Sequence, residues 1–262
     1  QLAAHPMSWQ TLSFYSLIAF AGTGAVSFLF SKLSRYLALK HQIVDSPKQE
    51  RKIQKEPVPL LGGLGIGITI IVGIIVFTSI SPLWIGKISS LQLIGFAAGL
   101  IILLTGGFLD DWLDLKAWKS FMFPVLAAVI VVITGTSIIH VTDPTSSAPL
   151  FLNWWQWSLG YWTLSLPNDL LTVIWLLVAL YATKLTDGLD GLVSGIGIIG
   201  AAMVGILSTM TVFFQPATAI LSAVVAGSFA GFLPHNRFPA KQYLGESGST
   251  IAGFCLGFLA IV

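Results

Sequence analysis

Charge is scarce in this chain. Of its 262 residues, 13 are Lys or Arg and 11 are Asp or Glu, 9% in all, against 55% hydrophobic. That balance excludes an ordinary soluble globular domain, in which about a quarter of the residues are charged, and no nucleic-acid partner is expected. Cysteine is all but missing. The lone Cys255 lies in an apolar run, which excludes a disulfide framework and a thiolate metal site. No cleaved signal peptide is read, because the first apolar run lies too deep and has weak basic flanks. A half-and-half internal repeat of the kind many transporters carry is also lacking. The chain opens on Gln1 rather than Met and stops at Val262 inside an apolar run, so a fragment is expected.

What the chain has is long apolar sequence, with a mean hydropathy of +0.86. A bilayer span needs about 20 mostly apolar residues. Runs of that kind cover 11–31, 61–80, 91–109, 120–141, 170–184, 192–213 and 217–234, with a last one from about 249. The expected fold is all-α: a polytopic transmembrane bundle of about eight spans, forming a single integral membrane domain over 1–262. One segment, LFLNWWQWSLGYWTLSLP at 150–167, carries no charge and alternates on both sides of Ser158-Leu159-Gly160. It predicts a short external β-hairpin whose Trp and Tyr residues form an interfacial belt.

Short cytoplasmic loops carry excess Lys and Arg. If loop 32–60 is cytoplasmic, so are 110–119, 184–191 and 235–248. That face then holds twelve of the thirteen bases, all but Lys87. The acids, not used to set the orientation, test it: nine of eleven fall on the same face, the exceptions being Asp143 and Asp169. The chemistry is expected there.

Three acidic or mixed clusters lie on that face. In GGFLDDWLDLKAWK, Asp110 and Asp111 follow directly on an apolar run, at a helix C-terminus where the dipole disfavours anions. Two charges about 4 Å apart repel by roughly 4 kcal/mol at an effective dielectric near 20. A cation or a proton-transfer role accounts for the pair better than pairing with Lys116 and Lys119. In LTDGLDGL, Gly188 and Gly191 predict a tight loop that lets a ligand approach Asp187 and Asp190, with Lys184 able to neutralise Asp187. In HNRFPAKQYLGESGS, Glu246 is a hard-metal ligand type, and Ser247 or Ser249 is either a helix cap or part of an anion-binding turn. The basic loop DSPKQERKIQKEPVPLLGGLGIG suits anionic lipid headgroups, and its Gly65 and Gly67 read as helix-packing glycines. Carboxylates plus substrate phosphates are how Mg²⁺ is usually held, and lysines serve phosphoryl groups as point charges. The residues alone therefore predict a cytoplasm-facing, Mg²⁺-dependent phosphate site.

The stretches DSPKQERKIQKEPVPLLGG, GGFLDDW, TDGLDGLVSG and PAKQYLGESGS occur in this order. With them the chain, from about Leu12 to its end, resembles the polyprenyl-phosphate N-acetylhexosamine-1-phosphate transferases of glycosyltransferase family 4, bacterial inner-membrane enzymes that initiate peptidoglycan, teichoic acid and O-antigen-type glycans. The resemblance implies transfer of a sugar 1-phosphate from a UDP-N-acetylhexosamine to undecaprenyl phosphate, releasing UMP, with Mg²⁺ or Mn²⁺. It implies catalytic roles for Asp110, Asp111 and Asp187, with Asp110 deprotonating the lipid phosphate. Glu246 and Asp111 would serve the metal, and Asp190 and Lys55 would lie near the uridine. Lys116, Lys184, Gly188, Asn236 and Lys241 complete the candidate substrate contacts. Dimers are compatible with the family.

Some positions depart from the family pattern. Glu246 replaces the usual Asp of GDxGS, and Lys184 stands where an Asn often helps at the metal. Gln54 replaces a usual His, and the resemblance leads one to expect the family's His-rich inner loop beyond Val262. Two other readings follow: an inactive homologue acting as a lipid-binding scaffold, suggested by Lys184 and Glu246, and an anion transporter. The acids sit at span ends rather than mid-span, which counts against transport. The form of the first loop favours UDP-N-acetylglucosamine as the donor.

Overall fold

The computed structural model describes residues 8–46, 56–80, 88–142, 149–152, 154–159, 162–210 and 214–262. Among them run eight helices: α1 (Trp9–Lys40), α2 (Gly62–Ile80), α3 (Ser90–Leu113), α4 (Ala117–Ile133), α5 (Asn168–Thr186), α6 (Leu192–Ser208), α7 (Pro216–Asn236) and α8 (Gly245–Leu259). Helices α1, α2, α3, α5 and α7 are long and apolar enough to cross a membrane, while α4 and α6 are shorter apolar helices of 17 residues each. The chain is a multi-pass helical membrane protein.

Two helices form the centre. Sixteen of the 21 residues of α7 are buried, the mark of a helix surrounded on all sides, and α1, α6 and α2 pack around it. Twelve of the 15 residues of α8 are buried against α5, α3, α2 and α6. Phe96 of α3 stacks on Phe254 and Phe258 of α8, with centroids 5.4 and 4.3 Å apart.

Glycines decide how closely α8 is approached. A Cβ on Gly107 of α3 would collide with the Ser247 backbone, and one on Gly63 of α2 with Gly248. Gly65 and Gly67 likewise face Ser31 and Leu104 directly, the packing role read from the sequence. Asp111 lies one turn beyond Gly107 and so shares its face of α3. The glycine contact thereby sets Asp111 against the first turn of α8.

At the end of the bundle where α5 begins, β5 (Trp155–Leu159) pairs antiparallel with β6 (Trp162–Leu166), with Leu159 opposite Trp162, as the alternation predicted. A second ladder, β3 (His140–Thr142) with β4 (Pro149–Phe151), was not foreseen. The fourth span was expected to continue to 141 but stops at Ile133. Gly135, at φ +88°, takes the left-handed position; its N–H reaches Val132 O, and that of Thr136 reaches Val131 O. That double bond is a Schellman stop, and it releases the β-branched residues beyond it into a strand. Asp169, in the first turn of α5, accepts from Ser137 Oγ at 2.5 Å and Ser165 N at 2.7 Å, tying hairpin and helix together. The third ladder, β1 (Val44–Asp45) with β2 (Val58–Pro59), sits at the other end and borders the site.

Candidate active site

Helices α3, α5 and α7 end, and α6 and α8 begin, around one cavity of about 400 Å³. Asp111, Lys184, Asp187, Gly188, Asp190, Asn236 and Glu246 line it, all named by the sequence reading. Asp45, Tyr243 and Ser249 line it too. Asp45 and Tyr243 were missed as site residues, although each lies within a motif that had been singled out. Lys116, at the start of α4, and Lys241 are not among its walls. Lys55 lies outside the described residues.

The first turn of α8 organises the acids. It was expected to begin near 249, with Ser247 or Ser249 as a cap; instead it begins at Gly245, and its N-cap Leu244 makes no side-chain cap bond. Both serines therefore sit inside the helix, with Ser249 Oγ bonded back to Gly245 O. The acceptor at this helix start comes from α3: Glu246 N donates to Asp111 Oδ1 at 3.1 Å. An anion at a helix N-terminus is favourable. Gly245 takes φ +70°, and a Cβ there would collide with the Asp111 carboxylate. Asp111 Oδ2 is buried and has no partner.

Asp110 is differently placed. Its Oδ1 accepts from Leu115 N at 3.1 Å and its Oδ2 from Ser120 Oγ at 2.7 Å, so the carboxylate closes the α3–α4 turn and does not line the cavity. The two adjacent acids have thus separated into one that holds the turn and one that faces the site.

Lys184 Nζ lies 2.5 Å from Glu246 Oε2. The sequence reading allowed Lys184 to neutralise Asp187; the structure pairs it with Glu246 across α5 and α8. Thr183 Oγ1 pins the same helices together by donating to Ser249 O at 2.8 Å. Asp187 caps the C-terminus of α5, in the loop that Gly188 and Gly191 predicted. Burial first, and then the Glu246 carboxylate, push its carboxyl up to about 7. The residue as a whole is open to solvent, which screens part of that effect. A Cβ at Gly188 would meet open space, whereas Gly191 takes φ +78° at the start of α6.

Asn236 and Asp190 hold the opposite wall. Asn236 Oδ1 accepts from Gly191 N at 3.1 Å and Ser194 Oγ at 2.8 Å, while its Nδ2 donates to Gln242 O at 3.2 Å. Asp190 Oδ2 accepts from Ala240 N at 2.9 Å. These bonds tie the 187–191 loop to the 236–242 segment. The 243–244 backbone is joined in turn to the start of α2, through Gly62 N to Tyr243 O at 3.1 Å and Gly63 N to Leu244 O at 2.8 Å.

A cluster of carboxylates with an ammonium beside a helix N-terminus, open to a cavity at the end of a membrane bundle, is equipped to hold a phosphorylated substrate. The family model described as glycosyl transferase family 4 matches residues 93–262. The chain belongs to that family.

Among its relatives, a probable undecaprenyl-phosphate N-acetylglucosaminyl 1-phosphate transferase of Bacillus subtilis is 28% identical over 94% of this chain and 62% of its own length. A decaprenyl-phosphate N-acetylglucosaminephosphotransferase of Mycolicibacterium smegmatis is 30% identical over 85% of this chain and 54% of its own. A phospho-N-acetylmuramoyl-pentapeptide-transferase of Halalkalibacterium halodurans is 29% identical over 94% of this chain and 73% of its own. The chain spans little more than half the length of several of the family members it matches.

Among the described residues no three His, Cys, Asp or Glu side chains converge as a closed metal cage. Mg²⁺ does not need one, since it is commonly held by one or two carboxylates with substrate phosphates and waters. The partnerless Asp111 Oδ2 fits such a role. Glu246 fits it once its carboxylate is released from Lys184.

Proposed function

We propose that this protein transfers a sugar 1-phosphate, N-acetylglucosamine 1-phosphate foremost, from a UDP-N-acetylhexosamine to undecaprenyl phosphate. UMP is released, and the reaction runs at the cytoplasmic face of a bacterial inner membrane. The observation that carries the reading is the one cavity lined by Asp111, Asp187, Asp190 and Glu246 together with Lys184 and the start of α8.

One phosphate oxygen of the acceptor attacks the β-phosphorus of the nucleotide sugar. The bond from that phosphorus to the oxygen bridging it to the α-phosphate breaks, and UMP leaves with the bridging oxygen. Little covalent work falls to the protein in such a transfer; positioning and electrostatics carry it. Asp187, with its raised carboxyl facing the cavity, is suited to take the proton of the acceptor phosphate. Asp110 acts on the reaction through the turn that it closes. Lys184 offers a fixed positive charge to the diphosphate, and Asp190 and Asn236 hold the loop against which the nucleotide lies. Asp111 and Glu246 are the residues that would hold Mg²⁺, which when bound neutralises charge on the diphosphate.

The Lys184–Glu246 ion pair favours a second reading, an inactive homologue that binds polyprenyl phosphate as a scaffold. One assay separates the two: UMP release from UDP-N-acetylglucosamine by the full-length protein in detergent with undecaprenyl phosphate, with and without Mg²⁺. Metal-dependent release that is lost in Asp111→Asn and Asp187→Asn supports the transferase. No release from this donor or from other UDP-amino sugars, in a folded preparation that binds undecaprenyl phosphate, leaves the scaffold.

A further inference from the structure

Beside the catalytic cavity, and separate from it, a groove of about 590 Å³ runs between the last turns of α1 and the C-terminus of α7. Lys32, Arg35, Arg237 and Lys241 line it, and no carboxylate does. None of the four is in an ion pair among the described residues. Arg35 Nε is buried without a hydrogen-bond partner. His235, only 7% exposed, lines the same groove, and its buried Nε2 is also without a partner. Its ring is held against Phe28 with centroids 4.8 Å apart, and Lys32 Nζ lies 4.5 Å over the other part of that arrangement, the Phe28 ring.

Four cations gathered without counter-charge repel one another, and a buried guanidinium nitrogen without an acceptor carries a desolvation cost. Neither is relieved from within the described residues. The ligand that relieves both is an anion with several acceptor oxygens, which is a phosphate group.

The setting of the groove identifies what carries that phosphate. Along α1, Leu29, Leu33, Tyr36 and Leu39 are each 50% or more exposed. They continue the apolar surface of a membrane-spanning helix down to the cations. A free anion has no use for that wall, whereas a lipid lays its hydrocarbon along it and its headgroup among the bases.

We propose that the α1–α7 groove is a binding site for the phosphate headgroup of an anionic membrane lipid, distinct from the catalytic cavity. The two sites share a wall. His235 faces the groove and its neighbour Asn236 the cavity, while the N–H groups of Lys241 and Gln242 both bond to His235 O, at 2.9 and 3.0 Å. The site requires no turnover and stands whether or not the transfer reaction proposed above is correct.

The test is native mass spectrometry of the full chain in detergent, titrated with phosphatidylglycerol, with phosphatidylcholine of the same acyl chains, and with inorganic phosphate. Phosphatidylglycerol is expected to bind more tightly than phosphatidylcholine. The double substitution Lys32→Gln/Arg35→Gln should weaken it by about tenfold or more, since each basic residue near an anionic headgroup contributes roughly fivefold. The exposed pair Arg237→Gln/Lys241→Gln should weaken it similarly, and provides the test if the first variant does not fold. Equal affinity for the two lipids, or wild-type affinity in the folded variants, would overturn the proposal. Displacement of phosphatidylglycerol by millimolar inorganic phosphate would assign the groove to a soluble anion and overturn the lipid assignment.

Discussion

The Lys184 ammonium reaches the Glu246 carboxylate at 2.5 Å, placing a protein cation beside a residue suited to hold a metal. The longer side chain of Glu, relative to Asp, takes its carboxylate one methylene farther from the α8 backbone, towards α5. The two departures from the family pattern thus satisfy each other. Substituting Lys184→Gln frees Glu246 and leaves Asp111, Asp187 and Glu246 around the cavity without that charge. The metal-free variant should melt at a lower temperature than the wild type, and its Mg²⁺ affinity by calorimetry should rise by up to about fivefold, the equivalent of a lost competition from one partly exposed ion pair of up to about 1 kcal/mol. Unchanged Mg²⁺ affinity would show that Glu246 is not a ligand.

Adjacent acids should separate by phenotype. Asp110→Ala removes the acceptor of two hydrogen bonds in the α3–α4 turn and should destabilise the protein by about 1–3 kcal/mol. Asp111→Asn keeps an oxygen for Glu246 N and removes a buried charge. It should leave the metal-free melting temperature unchanged or higher while abolishing UMP release. Thermal denaturation of both variants, beside the activity assay, decides this.

Gly245→Ala places a methyl group against the Asp111 carboxylate at a residue with φ +70°. A left-handed non-glycine residue costs about 1 kcal/mol before any collision. Activity should fall by about a hundredfold or more, as expected for an ångström-scale displacement of a reacting group, with helical content by circular dichroism preserved.

The pH dependence follows from Asp187, whose carboxyl is raised from 3.8 to about 7. The folded state favours the protonated form, so this stabilisation is complete below about pH 3.8 and is lost progressively up to about pH 7. Relative to Asp187→Asn, the metal-free wild type should lose melting temperature across that interval and change little above it. Parallel curves for the two proteins would show that Asp187 titrates as an ordinary carboxyl.

Local order was legible in the sequence, and contact between distant segments was not. The apolar runs located the helices, and the alternation about Leu159 located β5 and β6, because helical and strand periodicities are written within a few residues. The stop at Gly135 was also written locally, in a glycine after the last helical turn, but the continuing apolar character of Ile138, Ile139 and Val141 masked it. The start of α8 was missed for a different reason. The acceptor for Glu246 N is Asp111, 135 residues away, so no cap is present in the local sequence. For the site, Asp111, Asp187, Asp190 and Glu246 were named and lie around one cavity. The partner of Lys184 and the contact of Asp111 with Glu246 N depend on how α3, α5 and α8 cross, which no single motif encodes; Asp110 is held locally, by Leu115 N and Ser120 Oγ in the turn that follows it.

The glycine contacts at Gly63 and Gly107 fix the first turn of α8 through the backbone of Ser247 and Gly248, with only the small Ser247 side chain beside them. The distance from Asp111 to Glu246 N is therefore decoupled from the identity of the side chains that line the cavity. The same arrangement concentrates vulnerability away from the chemistry, since a single added methyl group at Gly63 or Gly107 would move the frame itself.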